Sequence, residues 1–252
     1  MASRHITSGT REWADYNVNC VRGCSNDCRY CYAKMIGKRF GRCTEESWKE
    51  MEINEKALKK TYPKYKGRVM FPSSHDIIDD PKIISACFKV LTKLLQAENE
   101  VLVTSKPNLH VTQEIIDQFS EHQDQIQFRF TITSNDDRLL SFWEPNAPRY
   151  EERKESLILA FKEGYKTSVS VEPFLDKDPE NLIKELDPYI TESIWVGPMN
   201  YISLKNVSKQ DEPYYINVRE NIEISNLIKI YDNLKDIEKI RFKDSFLNKL
   251  NI

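Results

Sequence analysis

Glycine is scarce in this chain. Its 252 residues hold 7 glycines, where average usage of ~7% would give about 18. Neither a G-x-x-x-x-G-K-S/T loop nor a G-x-G-x-x-G turn occurs, so nucleotide binding through those phosphate-cradling backbones has no support. Long apolar runs are missing too. None approaches the ~20 residues that cross a bilayer, and no membrane association is expected. Residues 1–10 are polar and lack the apolar stretch of a secretory signal. A cytoplasmic location is the expectation. Thiols stay reduced there, and clustered cysteines read as metal ligands rather than disulfides. No linker, repeat or low-complexity stretch divides the sequence, so residues 1–252 are expected to form one domain with ample chain for a core.

Cysteine carries the message instead. Three of the six cysteines fall in Cys24-Ser25-Asn26-Asp27-Cys28-Arg29-Tyr30-Cys31, giving three thiolates in one short loop that can converge on a metal centre. Three ligands differ from four in a way that matters. A cube-shaped iron–sulfur cluster held by three thiolates leaves one iron open to something other than protein. Structural zinc requires four ligands, with Cys20 or Cys43 available as the fourth. An electron-transfer ferredoxin also uses four cysteines, usually in a smaller chain.

The net charge of −2 conceals an asymmetry: residues 1–68 carry 15 Lys and Arg against 8 Asp and Glu. Much of this excess surrounds the cysteine loop, as Lys34, Lys38, Arg39 and Arg42. Such a field favours an anionic partner, nucleic acid among them, or serves as a solvated helix face.

Short β-rich runs alternate with helical patterns along the chain. Strands are expected over Tyr16–Cys20, Gly67–Phe71, Glu100–Thr104, Ile126–Thr133, Lys166–Val171 and Ser193–Val196. Helices are expected near Thr44–Lys60, behind Asp80-Pro81, near Val111–Ser120 and Tyr150–Glu163, behind Asp178-Pro179, and over Asn217–Leu234. Asp80 supplies a capping side chain and Pro81 a pre-set first helical residue. Ile83, Ile84, Cys87, Val90, Leu91, Leu94 and Leu95 behind them keep the spacing of one buried helix face. Arg241–Ile252 reads as a short closing segment within a C-terminal stretch from about residue 235. Six strand–helix units imply a parallel α/β sheet, too few for a closed eight-stranded barrel, so a partial (β/α)6 barrel is expected. Sites in such folds lie at the carboxyl ends of strands. The cysteine loop at residues 20–32, Ser73-Ser74-His75, Ser105-Lys106, Ser134-Asn135, Glu172 and Gly197 would gather at that mouth.

The spacing C-x-x-x-C-x-x-C, with aromatic Tyr30 before the last cysteine, resembles the signature of the radical S-adenosylmethionine (SAM) superfamily. Gly23-Cys24-Ser25-Asn26-Asp27-Cys28-Arg29-Tyr30-Cys31-Tyr32-Ala33 looks most like the branch containing spore photoproduct lyase. Patches V-L-V-T-S-K, T-I-T-S-N-D-D, W-E-P-N-A-P-R-Y-E-E-R and S-V-S-V-E-P extend the likeness across most of the chain. The resemblance implies a partial TIM-like barrel of the radical SAM type. Cys24, Cys28 and Cys31 would hold a [4Fe-4S] cluster whose open iron is chelated by SAM. Reductive cleavage of SAM would give a 5′-deoxyadenosyl radical that abstracts hydrogen from substrate. A reducing partner such as flavodoxin or ferredoxin is implied as well.

Carried over by position, Tyr30 would set the loop backbone near the adenine. Ser73 and Ser74 would stand where a glycine-rich loop commonly meets the methionine amino group, here without its glycines. Ser105, Ser134 and Glu172 would reach the carboxylate or the ribose hydroxyls, or serve as ordinary turn residues. A nucleic-acid or nucleobase substrate is expected from the basic N-terminal quarter and from the lyase branch. The alternative is a non-enzymatic nucleic-acid-binding module stabilised by zinc or an iron–sulfur cluster. Cys87 reads as a buried thiol, and Cys43 as a hydrogen donor or a plain thiol. His75 could touch substrate or cofactor or simply close a turn. Glu144 and Arg153 either pair to fix the loop after the fourth strand or reach the cofactor. Tyr62, Tyr65, Tyr150 and Tyr201 are too scattered for a base-stacking surface.

Overall fold

The computed structural model describes residues 9–200, 202–205 and 207–252. Seven strands form one parallel sheet, ordered β1 (Tyr16–Asn17), β4 (Val69–Phe71), β5 (Val101–Ser105), β6 (Ile126–Thr131), β7 (Lys166–Val171), β8 (Ile194–Val196) and β9 (Ile240–Phe242). The sheet curls into a half-barrel. Each of the six expected strands is present, and β9 adds a seventh, with Ile194 opposite Ile240. The expected closing segment is therefore the end of one more strand–helix unit, completed by α11 (Asp244–Leu250). Tyr201, from the scattered tyrosine set, and residues 1–8 lie outside the described residues.

Helices cover the outer face of the sheet: α4 (Pro81–Gln96), α5 (Leu109–Gln118), α7 (Tyr150–Lys162), α8 (Glu180–Leu186) and α10 (Ile224–Leu234). Asp80 caps α4 as expected, accepting from the backbone N–H groups of Lys82 at 2.9 Å and Ile83 at 3.1 Å. All seven apolar positions of the α4 face are buried. Each fully buried Leu or Ile contributes about 1.5–3 kcal/mol, so this face outweighs any single cap.

Alternate residues of the central strands face opposite ways. Phe128, Phe130, Val169 and Val171 are buried in the apolar core. Gln127, Arg129, Ser168 and Ser170 line the opposite, concave face, where Arg129 Nε donates to Ser168 Oγ at 3.0 Å. The Arg129 guanidinium lies between the rings of Trp13 and Trp195, at 4.9 and 5.4 Å from their centroids. Burial pushes Arg129 down to about 9.

The expected helix Thr44–Lys60 is broken. It resolves into α2 (Glu45–Lys49), β3 (Glu52–Ile53) and α3 (Glu55–Lys59), and β3 pairs antiparallel with β2 (Val21–Arg22). Asn54 explains the break, because its side chain caps a new helix by accepting from Ala57 N. Three helices were not expected, α1 (Tyr32–Arg39), α6 (Asp137–Trp143) and α11. The expected helix Asn217–Leu234 is divided into α9 (Glu212–Asn221) and α10. No helix among the described residues is long and apolar enough to cross a membrane.

Candidate active site

The cysteine loop runs from β2 to the start of α1, over the carboxyl ends of the strands. Its entry is fixed by Gly23, whose φ of +89° and contact with Trp48 exclude a side chain. A Cβ there would stand 2.2 Å from the Trp48 carbonyl oxygen, the same oxygen that accepts from Cys24 N at 2.8 Å. Further on, Arg29 N donates to the Trp143 carbonyl at 2.8 Å and Asn146 Nδ2 donates to the Ser25 carbonyl at 2.9 Å. Asp27, in the left-handed region, accepts ion pairs from Lys34 at 2.8 Å and Lys49 at 3.3 Å. Cys31 caps α1, its sulfur accepting from Lys34 N at 3.5 Å. A helix N-terminus favours the thiolate over the thiol.

Cys24 and Cys28 are buried and Cys31 is half-buried. Desolvation pushes Cys28 up to about 12 and raises Cys24 and Cys31 as well. Among the described residues Cys28 makes no side-chain hydrogen bond, and Cys24 makes one long contact, to Asp76 Oδ2 at 3.7 Å. Three soft donors on a dry, braced loop suit a cationic iron cluster, whose charge reverses the penalty on the thiolates.

A charged layer backs the loop. Asp76 Oδ2 accepts from Asn26 Nδ2 at 2.8 Å, and Asp76 Oδ1 accepts from Lys106 N at 2.8 Å and Ser105 Oγ at 3.2 Å. Burial alone would raise Asp76, but the Lys106 charge and these donors hold it below the usual carboxylate range. Lys106 Nζ sits 5.6 Å from the Tyr30 ring centroid and 3.8 Å from Asp76. Burial opposes the Lys106 charge, and Cys28, Tyr30, Asp76 and Glu144 overcome it, so the ammonium stays well above its ordinary value. The Tyr30 hydroxyl donates to Glu144, which also accepts from Thr133 Oγ1 at 2.8 Å. Glu144 is ion-paired with Arg153, and both are fully buried.

The other expected contacts are occupied by protein. Asn19 Oδ1 accepts from the backbone N–H groups of Ser73 at 2.7 Å and Ser74 at 2.9 Å, and Asn19 Nδ2 donates to Ser73 Oγ at 2.8 Å. Tyr32 donates to the Ser73 carbonyl at 2.6 Å. Ser105 is held in the Asp76 turn, and Ser134 donates to Asp176 at 2.9 Å. Glu172 faces Lys243 at 3.7 Å, and Lys243 also pairs with Glu12 at 2.8 Å. Burial, then the Glu12 charge, raises Glu172 to about 7 against the pull of Lys243. Gly197 makes room for this cluster, since a Cβ there would lie 2.8 Å from Lys243 Cγ.

The structure thus gathers Tyr30, Ser105 and the cysteines around Asp76 and Lys106, places Ser73 and Ser74 beside them through Asn19, and sets Glu172 with Lys243 and Glu12. Asn19 and Asp76 were not singled out from the sequence; Asn19 falls inside the expected strand Tyr16–Cys20 and Asp76 in the loop after Phe71, and neither carries a local signal. Cys20 lies 3.6 Å from Cys87, sulfur to sulfur. Cys43 packs against Gly37 of α1.

A family model described as the radical SAM superfamily matches residues 18–186. An uncharacterized protein of Acidianus two-tailed virus is 32% identical over 184 residues, covering 69% of this chain and 58% of the viral protein. A spore photoproduct lyase variant superposes with a TM-score of 0.54 at 17% identity, covering 81% of this chain and 61% of the lyase chain. Another variant, with bound AdoMet and dinucleoside spore photoproduct, gives 0.53 at 16% identity, covering 82% and 61%. The chain spans about three-fifths of the length of these relatives.

Proposed function

Because the chain belongs to the radical SAM superfamily, whose cofactors are a [4Fe-4S] cluster and SAM, we propose that it is a radical enzyme whose cluster is held by Cys24, Cys28 and Cys31. When bound, that cluster supplies the electron that cleaves SAM to a hydrogen-abstracting 5′-deoxyadenosyl radical. The remaining work belongs to the chain. Gly23, Asn26 and Asn146 hold the loop still. Lys106 lays a positive charge beside the thiolates, and Asp76 keeps that charge in place. The Tyr30–Glu144–Arg153 chain ties the loop to the sheet and excludes water from its floor. Ser134 and Glu172 remain the candidates for polar contacts to SAM at the mouth, with Ser73, Ser74 and Ser105 shaping the wall. The observation that carries this reading is the three-thiol loop at the carboxyl edge of a parallel half-barrel, inside the span the family model matches.

We read residues 1–252 as one radical SAM domain working in the cytoplasm with a reducing partner such as flavodoxin or ferredoxin. For substrate, we favour a nucleic acid or nucleobase. Lys34 and Lys38 are neutralised by Asp27 and Glu45. Arg39 and Arg42 instead flank the exposed Phe40 ring, at 6.0 and 5.2 Å from its centroid. A cationic edge beside an exposed aromatic ring suits a phosphate backbone with an unstacked base. The lyase variant's bound dinucleoside photoproduct is in keeping with that choice.

Anaerobic reconstitution tests the first reading. The protein should turn brown and form 5′-deoxyadenosine from SAM and dithionite, and Cys28→Ala should abolish both. A colourless protein without cofactor turnover selects a non-enzymatic metal-stabilised module. For the substrate, oligonucleotide binding should weaken steeply with salt, and replacing Arg42 should lower the salt slope by about 1. Absence of binding at low salt removes nucleic acid.

A further inference from the structure

Two buried thiols and one buried imidazole meet behind the cysteine loop, on residues the proposed chemistry does not use. Cys20 follows the first strand, His75 lies in the loop after β4, and Cys87 sits on the buried face of α4. Cys20 and Cys87 have no exposure, and His75 keeps 6%. The two sulfurs are 3.6 Å apart, and with one ring nitrogen of His75 all three donor atoms fall within 4.8 Å of one another. A second feature points the same way. His75 Nδ1 lies 3.1 Å from the Asp76 carbonyl. A carbonyl only accepts, so the proton belongs on Nδ1. Nε2 is then a bare lone pair, buried and without a hydrogen-bond partner among the described residues. A buried acceptor left in that state costs free energy that a bound cation removes.

We propose that Cys20, His75 and Cys87 supply three of the four ligands of a zinc ion, a water completing the set, at a site separate from the three-cysteine loop. Two thiolates and an imidazole form a donor set that soft ions and zinc prefer. Charge decides among them. A divalent ion with two thiolates is neutral and can be buried, whereas monovalent copper leaves a net negative charge in an enclosed pocket. The bond from Nδ1–H to the Asp76 carbonyl is the outer-shell contact that orients ligating histidines. The ion fastens the exit of β1, four residues before Cys24, to α4. It also fastens the loop whose Asp76 side chain grips Asn26. Its role is to brace the floor of the cysteine loop, and the proposal does not depend on what that loop binds.

The test uses the full chain, purified without oxygen in the presence of zinc sulfate and dialysed. Elemental analysis should find a single zinc per chain. Zinc K-edge absorption should show two sulfurs at about 2.3 Å and nitrogen at about 2.0 Å. Zinc should persist in the triple variant Cys24→Ala, Cys28→Ala, Cys31→Ala, which has lost the cluster ligands, and disappear in Cys87→Ala and His75→Gln. The absorption measurement needs no substitution, so a variant that misfolds does not spare the idea. Zinc near zero in the unmodified chain, a sulfur-only shell, zinc that leaves with the triple variant, or a Cys20–Cys87 disulfide in its place would each overturn it.

Discussion

Arg153→Met removes the counter-charge of a fully buried carboxylate while keeping a long side chain in the same space. In the native protein Arg153 Nη2 lies 2.5 Å from Glu144 Oε2. Its Nε and Nη1 donate to the Pro148 and Thr131 carbonyls at 2.7 and 3.3 Å. Breaking a buried pair from one side costs about 3–5 kcal/mol, because the remaining charge stays buried without its partner. Lys106 and the Tyr30 and Thr133 hydroxyls still face Glu144, which places the loss near ~3 kcal/mol. At roughly 2–4 °C per kcal/mol for a chain of this size, Tm should fall by about 6–12 °C. Urea unfolding followed by circular dichroism, with cluster content matched, measures the loss directly. Burial alone would raise Glu144, but Arg153, then Lys106 and the hydroxyl donors, hold it below the usual carboxylate range. That contribution is present above the unfolded value of about 4.3 and is lost as pH falls through the folded one, so the gap to wild type should narrow in acid. Glu144→Leu added to Arg153→Met should recover part of the loss. A loss below about 1 kcal/mol with an unchanged m-value refutes the reasoning.

Glu172 runs the other way. The folded chain keeps its proton up to about pH 7, so the stability this contributes is full below about pH 4.3 and disappears as pH rises through 7. Glu172→Gln should therefore match wild type near pH 4 and exceed it by about 3–4 kcal/mol at pH 8. Parallel unfolding curves across that range would contradict it. Gly23→Ala forces a Cβ toward the Trp48 carbonyl at a positive φ and should cost about 1–3 kcal/mol while lowering iron per chain. Native iron content and unfolding midpoint in that variant would count against the loop geometry.

The chemistry-bearing parts were legible because they rest on local signals. Strand–helix alternation located each of the six expected strands, and Asp80-Pro81 marked the start of α4. The cysteine spacing marked the loop from residue identity alone. The second-to-last unit is instructive in the opposite sense: α9 and α10 read as one helix because apolar spacing continues across Ile222 and Glu223. β9, only Ile240–Phe242, is too short for alternation to show and is specified by pairing with β8. Broken helicity at Asn54 depended on a side-chain cap competing with continuation, and β3 depends on a partner some thirty residues earlier in the chain. At the site, Glu144 and Arg153 were named as a possible pair, yet their link to Tyr30 spans 114 residues. Asn19 and Asp76 act by reaching across strand ends to loops distant in sequence. No local pattern encodes such contacts. The meeting of Cys20, His75 and Cys87 is of the same kind, brought about by the packing of α4 on the edge of the sheet.

Mössbauer spectroscopy of anaerobically prepared, iron-57-labelled protein with and without SAM tests the central claim most directly. The account predicts a [4Fe-4S] cluster with one iron whose signal changes when SAM is added, the other three remaining in sulfur-rich surroundings. Four equivalent irons indifferent to SAM, or no cluster at all, would contradict it.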